Sequence, residues 1–345
     1  PVVVFTGGDP LKRPDVVEPA DHGTRRGLRM AVTPATTPRL DGDVLEALRD
    51  AGVRRVALSV DGATPRSHDA FRGERGSFEV ARRAAADAAE LGLPIQVNTT
   101  VCRDTVADLP AVADLAEAWG AVMWEVFFLV PLGRGEVLDP LSPWQHETVL
   151  EWMYRRQKEA DFRLITVEAP FYRRVGRQVE AAAKARLREE GRPTPGDRGR
   201  PVPVPRGSTG DGDGFLFVGH RGEIFPSGFL PVPAGDVRRD DVVEVYRDAP
   251  LFRWLRDGDL LRGKCGACEF RRVCGGSRAR AFAATGDRRA ADPFCPYVPS
   301  GWDVGDASGT DVGGPDAAPG ISGAGGLHDG LAVPLRATGR FLPMV

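Results

Sequence analysis

From the first residue to about residue 130, short β-branched or apolar runs alternate with longer stretches of helical periodicity. That alternation restricts the chain to folds in which parallel strands are joined by crossover helices. Five strands are legible: Val2–Phe5, Leu28–Thr33, Arg55–Val60, Ile95–Val101 and Trp124–Val130. Each is apolar enough to predict burial on both faces. Helices are expected between them at Asp43–Ala51, stopped by Gly52, at Ser77–Leu91 with Ser77 as N-cap and Gly92 as C-cap, and at Leu109–Trp119 ending at Gly120. The pattern predicts an α/β fold built from repeated βα units.

Two further helices are expected at Ser142–Ala160, opened by Ser-Pro, and at Phe171–Glu190. The stretch Gly191–Gly214 is dense in Gly, Pro and Arg and lacks periodicity, so it reads as a linker. Beyond it, Gly214–Val218 and Glu223–Pro226 flank His220-Arg221-Gly222, a hairpin signature, and Asp241–Asp257 supplies short amphipathic helices. From Ser300 to Val345 the chain is rich in Gly, Asp, Ala and Ser, and disorder is expected. The expected organisation is therefore a main domain over 1–190, a linker over 191–213, a small domain over 214–299 and a disordered tail over 300–345.

Lys plus Arg number 46 against 48 Asp plus Glu, interleaved along the chain. That balance gives no electrostatic case for nucleic acid or anionic lipid and fits a small molecule or a protein partner better. No run approaches the roughly 18 consecutive apolar residues of a membrane span, so no membrane association and a cytoplasmic location are expected. The chain opens at Pro1, directly in a strand, which suggests that sequence is missing upstream.

Five cysteines are an odd number, and Cys265, Cys268, Cys274 and Cys295 fall in one region while Cys102 stands apart. Such clustering in a cytoplasmic chain favours metal over disulfides. Four thiolates complete the ligand set of either tetrahedral zinc or a cubane iron–sulfur cluster. The second pair is split by twenty residues and the last cysteine is followed by proline, which favours iron–sulfur; zinc stays open, as do four unliganded buried thiols. Cys102 reads as a packed small hydrophobe.

The strand ends carry the second signal. Gly7, Gly8, Asp9 and Pro10 follow the first strand, where glycines let carbonyls approach a ligand and a carboxylate can meet an ammonium group. A tight turn with a helix-capping Asp is the bland alternative. Ser59-Val60-Asp61-Gly62, Asn98-Thr99-Thr100 and Leu129–Gly135 end later strands on the same edge, and ordinary turn chemistry is again the alternative for each alone. Glu168 and Tyr172 together could orient or protonate a product; a capped helix start with solvated arginines is the competing reading.

Together these residues resemble the radical S-adenosylmethionine (SAM) superfamily. Gly7-Gly8-Asp9-Pro10 is similar to the Gly-Gly-Glu-Pro motif that holds the SAM amino group, with Asp in place of Glu. Leu58–Ala63 followed by His68–Gly73, with Ser59, Asp61 and Arg72, resembles the strand and loop that meet the SAM ribose and carboxylate; Val97–Val101, with Asn98, and Phe127–Gly135 resemble the next two strands. The Cys265–Cys295 pattern, with Phe225–Phe229 and Cys274–Arg280, resembles the SPASM/twitch-type auxiliary domains of enzymes that modify haem precursors or ribosomal peptides. The resemblance covers roughly residues 1–299. It implies a partial (β/α) barrel of radical SAM type lacking its first βα unit, plus a small cysteine-rich α+β domain.

It also implies SAM and one auxiliary 4Fe-4S cluster as cofactors, a haem-precursor or peptide-type substrate, and an electron donor such as flavodoxin or ferredoxin. In the complete enzyme, SAM would be cleaved reductively to a deoxyadenosyl radical that abstracts a substrate hydrogen. The hallmark Cys-x-x-x-Cys-x-x-Cys of the catalytic cluster occurs nowhere in these 345 residues; in the family it precedes the Gly-Gly motif. The chain by itself is therefore expected to be inactive, and the rival expectation is a non-catalytic iron–sulfur or zinc scaffold, or a degenerate fragment.

Overall fold

A computed structural model describes residues 1–192 and 210–302. Six parallel strands lie in chain order in one sheet, curled as a half-barrel: β1 (Val2–Phe5), β2 (Arg29–Val32), β3 (Arg55–Ser59), β4 (Ile95–Val101), β5 (Met123–Phe128) and β6 (Arg163–Val167). Helices α1 (Val17–Arg25), α2 (Gly42–Asp50), α3 (Pro65–Arg72), α4 (Ser77–Glu90), α5 (Leu109–Ala118) and α6 (Pro143–Gln157) occupy the crossovers, and α7 (Tyr172–Glu189) follows β6. The five expected strands are present to within two residues at either end. The sixth strand, α1 and α3 were not foreseen: each is short, five to nine residues, and α1 and α3 are mostly polar.

Burial on both faces holds at the centres of β2, β3 and β4, where Ala31, Ala57 and Gln96 are buried as well, but not in β1, and the second face is not apolar. One face carries the core: Met30, Val32, Val56, Leu58, Val97, Trp124 and Val126 are buried, with Leu45 and Leu48 of α2 and Val112 and Ala116 of α5. The residues between them are largely polar, and the register sets Ser59 beside Asn98 and Ala57 beside Gln96 on one face. There Gln96 Nε2 donates to Asn98 Oδ1 and to Glu125 Oε2, both at 2.6 Å. Strands of four to seven residues give too few alternations for a period of two to stand out from a uniformly apolar run.

Helix α4 also starts differently. Its N-cap is Gly76, in the left-handed region at φ 85°, and the Ser77 side chain makes no cap bond. Its hydroxyl instead meets Thr36 Oγ1 at 2.5 Å and His68 Nε2 at 3.1 Å. His68 is fully buried, and its Nδ1 accepts the Asp61 N–H at 3.1 Å, which fixes the neutral ring with its proton on Nε2. Burial pushes the His68 pKa down to about 4, with the Asp61 charge opposing. A histidine whose folded pKa lies below its unfolded 6.5 contributes stability that is complete above pH 6.5 and is lost as pH falls towards 4. Urea unfolding is expected to show about 3 kcal/mol lost across that window. His68→Gln should flatten the slope there, and an unchanged slope in the variant would exclude His68 as its source.

The chain divides into two compact units. The first holds Pro1–Phe127 with Glu159–Ile165, and thus most of the half-barrel; the second holds Phe128–Lys158 and the described residues from Thr166 onward. In the second unit α6 and α7 pack together, with Tyr154 Oη donating to Glu180 Oε1 at 2.9 Å. A small antiparallel sheet follows, β7 (Phe217–Val218), β8 (Glu223–Phe225) and β9 (Gly235–Asp236), then α8 (Val242–Asp248), α9 (Pro250–Leu255), α10 (Gly263–Ala267) and α11 (Arg278–Thr285). The expected hairpin and short helices are these elements. Most of the expected linker and tail, 193–209 and 303–345, lie outside the described residues. Asp211, within the linker expectation, is buried and accepts the Ser227 hydroxyl and, at 3.0 Å, the Ala279 N–H.

Candidate cysteine centre and strand-edge site

Cys265 lies in α10, Cys268 ends it, Cys274 closes the turn that follows, and Cys295 comes three residues after Asp292. All four thiols line one pocket, together with Arg174, Lys264 and Tyr297. Every sulfur receives an N–H. Phe270 N donates to Cys268 and Gly276 N to Cys274, both at 3.4 Å; Asp292 N donates to Cys265 at 3.3 Å; Arg174 Nη2 donates to Cys295 at 3.7 Å. Donors aimed at sulfur stabilise the electron-rich thiolate, the form that binds metal. Without a metal, burial pushes the Cys295 thiol up to about 11 and raises Cys268 and Cys274 as well. Among the described residues no three His, Cys, Asp or Glu side chains are gathered as a single metal ion requires.

Gly276 shows why this turn tolerates no side chain. It sits at φ +65°, and a Cβ there would lie 2.9 Å from Asp292 Cβ and 3.1 Å from Cys265 Sγ. Behind the thiols is a buried charged network that sequence reasoning missed. Asp292 Oδ2 accepts from Ser277 N at 2.8 Å and Arg280 Nη2 at 2.9 Å, and both members of the Arg280–Asp292 pair are fully buried. Ser277 Oγ donates to Glu168 Oε2 at 2.5 Å. Burial, reinforced by the nearby Asp211 charge, pushes the Glu168 carboxyl up to about 8. Glu168 is the one non-glycine residue with positive φ among those described, at 59°, immediately after β6. Its supposed partner Tyr172 donates instead to Gln157 Oε1 at 2.7 Å, so the two do not act together. The sequence hints of this network were Glu168 and the Cys274–Arg280 run.

In the first unit the strand-edge residues are in place. Gly7 and Gly8 have φ of 81° and 44°, and Asp9 caps the short 3-10 turn Pro10–Lys12. Asp9 Oδ1 accepts from Leu11 N at 3.1 Å and Ala35 N at 3.3 Å, while Oδ2 is buried with no partner. Asp61, 2% exposed, accepts the Thr100 N–H on Oδ1 at 2.6 Å, and Arg72 Nε lies 2.6 Å from its Oδ2. Asp61 and Arg72 are therefore engaged with each other. Ser59 and Asn98 stand side by side across β3 and β4. Cys102 is fully buried and burial pushes its thiol up to about 11, as a packing residue should be.

The Radical SAM superfamily profile matches residues 1–116. An AdoMet-dependent heme synthase of Methanosarcina barkeri is 42% identical over 87% of this chain and 83% of its own length. The chain belongs to the radical SAM superfamily. A PqqA peptide cyclase of Methylocella silvestris is 27% identical over 86% of this radical SAM chain and 74% of its own. Streptococcus suis SuiB bound to S-adenosylmethionine superposes with a TM-score of 0.62 at 14% identity, covering 86% of this chain and 66% of that structure, a likeness of fold. The scaffold-only alternative is thereby not favoured. No described helix is long and apolar enough to cross a membrane.

Proposed function

We propose that this radical SAM chain modifies a haem precursor, using SAM at the strand edge of residues 1–190 and an auxiliary 4Fe-4S cluster on Cys265, Cys268, Cys274 and Cys295 in a cysteine-rich domain of residues 214–299. The observation that carries the substrate class is the 42% identity to a heme synthase against 27% to a peptide cyclase. The cluster is supported by four sulfurs around one pocket, each with its own N–H donor. When bound, it would supply a site for one electron leaving the substrate. SAM cleavage itself needs the family's first cluster, for which the 345 residues offer no Cys-x-x-x-Cys-x-x-Cys.

Asp9 offers its unpartnered Oδ2 to the SAM ammonium group, next to the exposed Gly7 and Gly8. Ser59 and Asn98 present polar groups beside each other across β3 and β4, and the Asp61–Arg72 pair holds the loop after β3 in shape. Asp9→Asn keeps an oxygen for the cap and removes the charge, so it should weaken SAM binding roughly tenfold. Asp9→Ala should add a loss of about 1 kcal/mol in stability. Calorimetric titration with SAM checks both; equal affinity in the Asn variant would exclude the ammonium contact.

The function is tested with the chain expressed together with any coding sequence that precedes it in frame, under anaerobic conditions with SAM and a strong reductant. Deoxyadenosine formation accompanied by a mass loss from an added iron-porphyrin is expected. Turnover of a peptide with the porphyrin untouched would overturn the substrate assignment.

A further inference from the structure

Arg278 is 5% exposed, at the start of α11. Its Nε donates to the Gly276 carbonyl at 3.2 Å, and its Nη1 to the carbonyls of Arg288 and Ala290 at 2.9 and 2.8 Å. Its Nη2 points at Cys265 Sγ, 3.9 Å away. Among the described residues no carboxylate lies within ion-pair distance of it; Asp211, which feels its charge, spends its oxygens on the Ser227 hydroxyl and the Ala279 N–H. A buried guanidinium hydrogen-bonded only to neutral carbonyls needs counter-charge close by; Asp211 lies near enough to feel it, and the group that Arg278 Nη2 points at is the Cys265 sulfur.

Arg174 approaches the same pocket differently. It is 2% exposed and donates to Cys295 Sγ at 3.7 Å, but Nη1 and Nη2 are also clamped by the two Glu147 oxygens at 2.6 Å each. Its charge is therefore shared between that carboxylate and the sulfurs of Cys268, Cys274 and Cys295.

We propose that Arg278 is a positioning residue for the cysteine-held cluster, a cation that helps set how readily the cluster takes up an electron, and that Glu147 partly offsets Arg174 in the same role. The proposal rests on the reading of the four cysteines as an iron–sulfur site. Reduction adds one negative charge to the cluster and no proton; a fixed cation beside a sulfur ligand stabilises that charge and makes the cluster a better acceptor of the electron a substrate gives up.

The full chain, loaded anaerobically with iron and sulfide, is titrated with dithionite and mediators while the cluster is followed spectroscopically. Arg278→Gln should lower the one-electron reduction equilibrium constant at least tenfold, about 59 mV more negative. Arg278→Lys, which keeps the charge, should lie between that value and the unaltered protein. Glu147→Gln should shift the potential the opposite way by freeing the Arg174 charge. Clusters loaded in full with potentials unmoved in both glutamine variants would overturn the proposal. If Arg278→Gln does not fold, Glu147→Gln decides: an upward shift supports the charge argument and an unmoved potential overturns it. An unaltered chain that takes up zinc without sulfide would instead overturn the cluster reading, and the proposal with it.

Discussion

Replacing Cys274 with alanine is expected to abolish iron–sulfur loading, with iron falling from about four per chain to near zero and the visible absorption lost. The four thiols share one pocket, and the Gly276 N–H that serves Cys274 would be left facing a methyl group. Loss of one of the four proposed ligands removes a bond to the cluster. The apo-protein should also unfold at lower urea, because metal binding and folding share one free energy in small cysteine-ligated domains. Anaerobic reconstitution followed by iron and sulfide analysis checks this. Full retention of both in the variant would remove the cysteine centre from the argument.

Asp292→Ala should produce the largest loss of stability among single changes away from the thiols. It leaves the Arg280 guanidinium buried without its carboxylate, and Arg280 already holds Nε and Nη1 without partners between the rings of Phe171 and Phe294, 5.2 and 5.0 Å from its centre. Stranding one member of a fully buried ion pair costs about 3–5 kcal/mol. The same change releases the Ser277 and Phe294 N–H groups. Replacing both members by apolar residues, Asp292→Leu with Arg280→Met, should recover much of that loss. Urea unfolding of the single and double variants separates the pair from its surroundings; equal losses in the two would show that the backbone contacts, not the charge pair, hold this region.

Much of the half-barrel was legible because β-branched runs and glycine stops are local signals: Ile95–Val101 and its neighbours fold where the pattern puts them. The polar face was not. Gln96, Asn98 and Glu125 become one hydrogen-bonded row only when β4 and β5 lie together in the sheet, a relation no single strand encodes. The cysteines were legible for the same local reason, their spacing. Arg174, Arg278 and Asp292 were not, because what gives them meaning is distance in space: Arg174 reaches a sulfur 121 positions further along the chain. Ser77 shows the limit from the other side. A serine before an apolar run looks like a cap, yet its hydroxyl is taken by His68 and Thr36, both remote from the helix start.

Twenty residues separate Cys274 from Cys295, and α11 lies between them. A cofactor grasped by both ends ties that excursion into a closed ring, and ring closure removes from the unfolded chain the freedom it would otherwise regain. With the proposed cluster as that tie, chains made during iron scarcity would present an untied ring to proteases while loaded chains would persist, so protein abundance would follow iron supply.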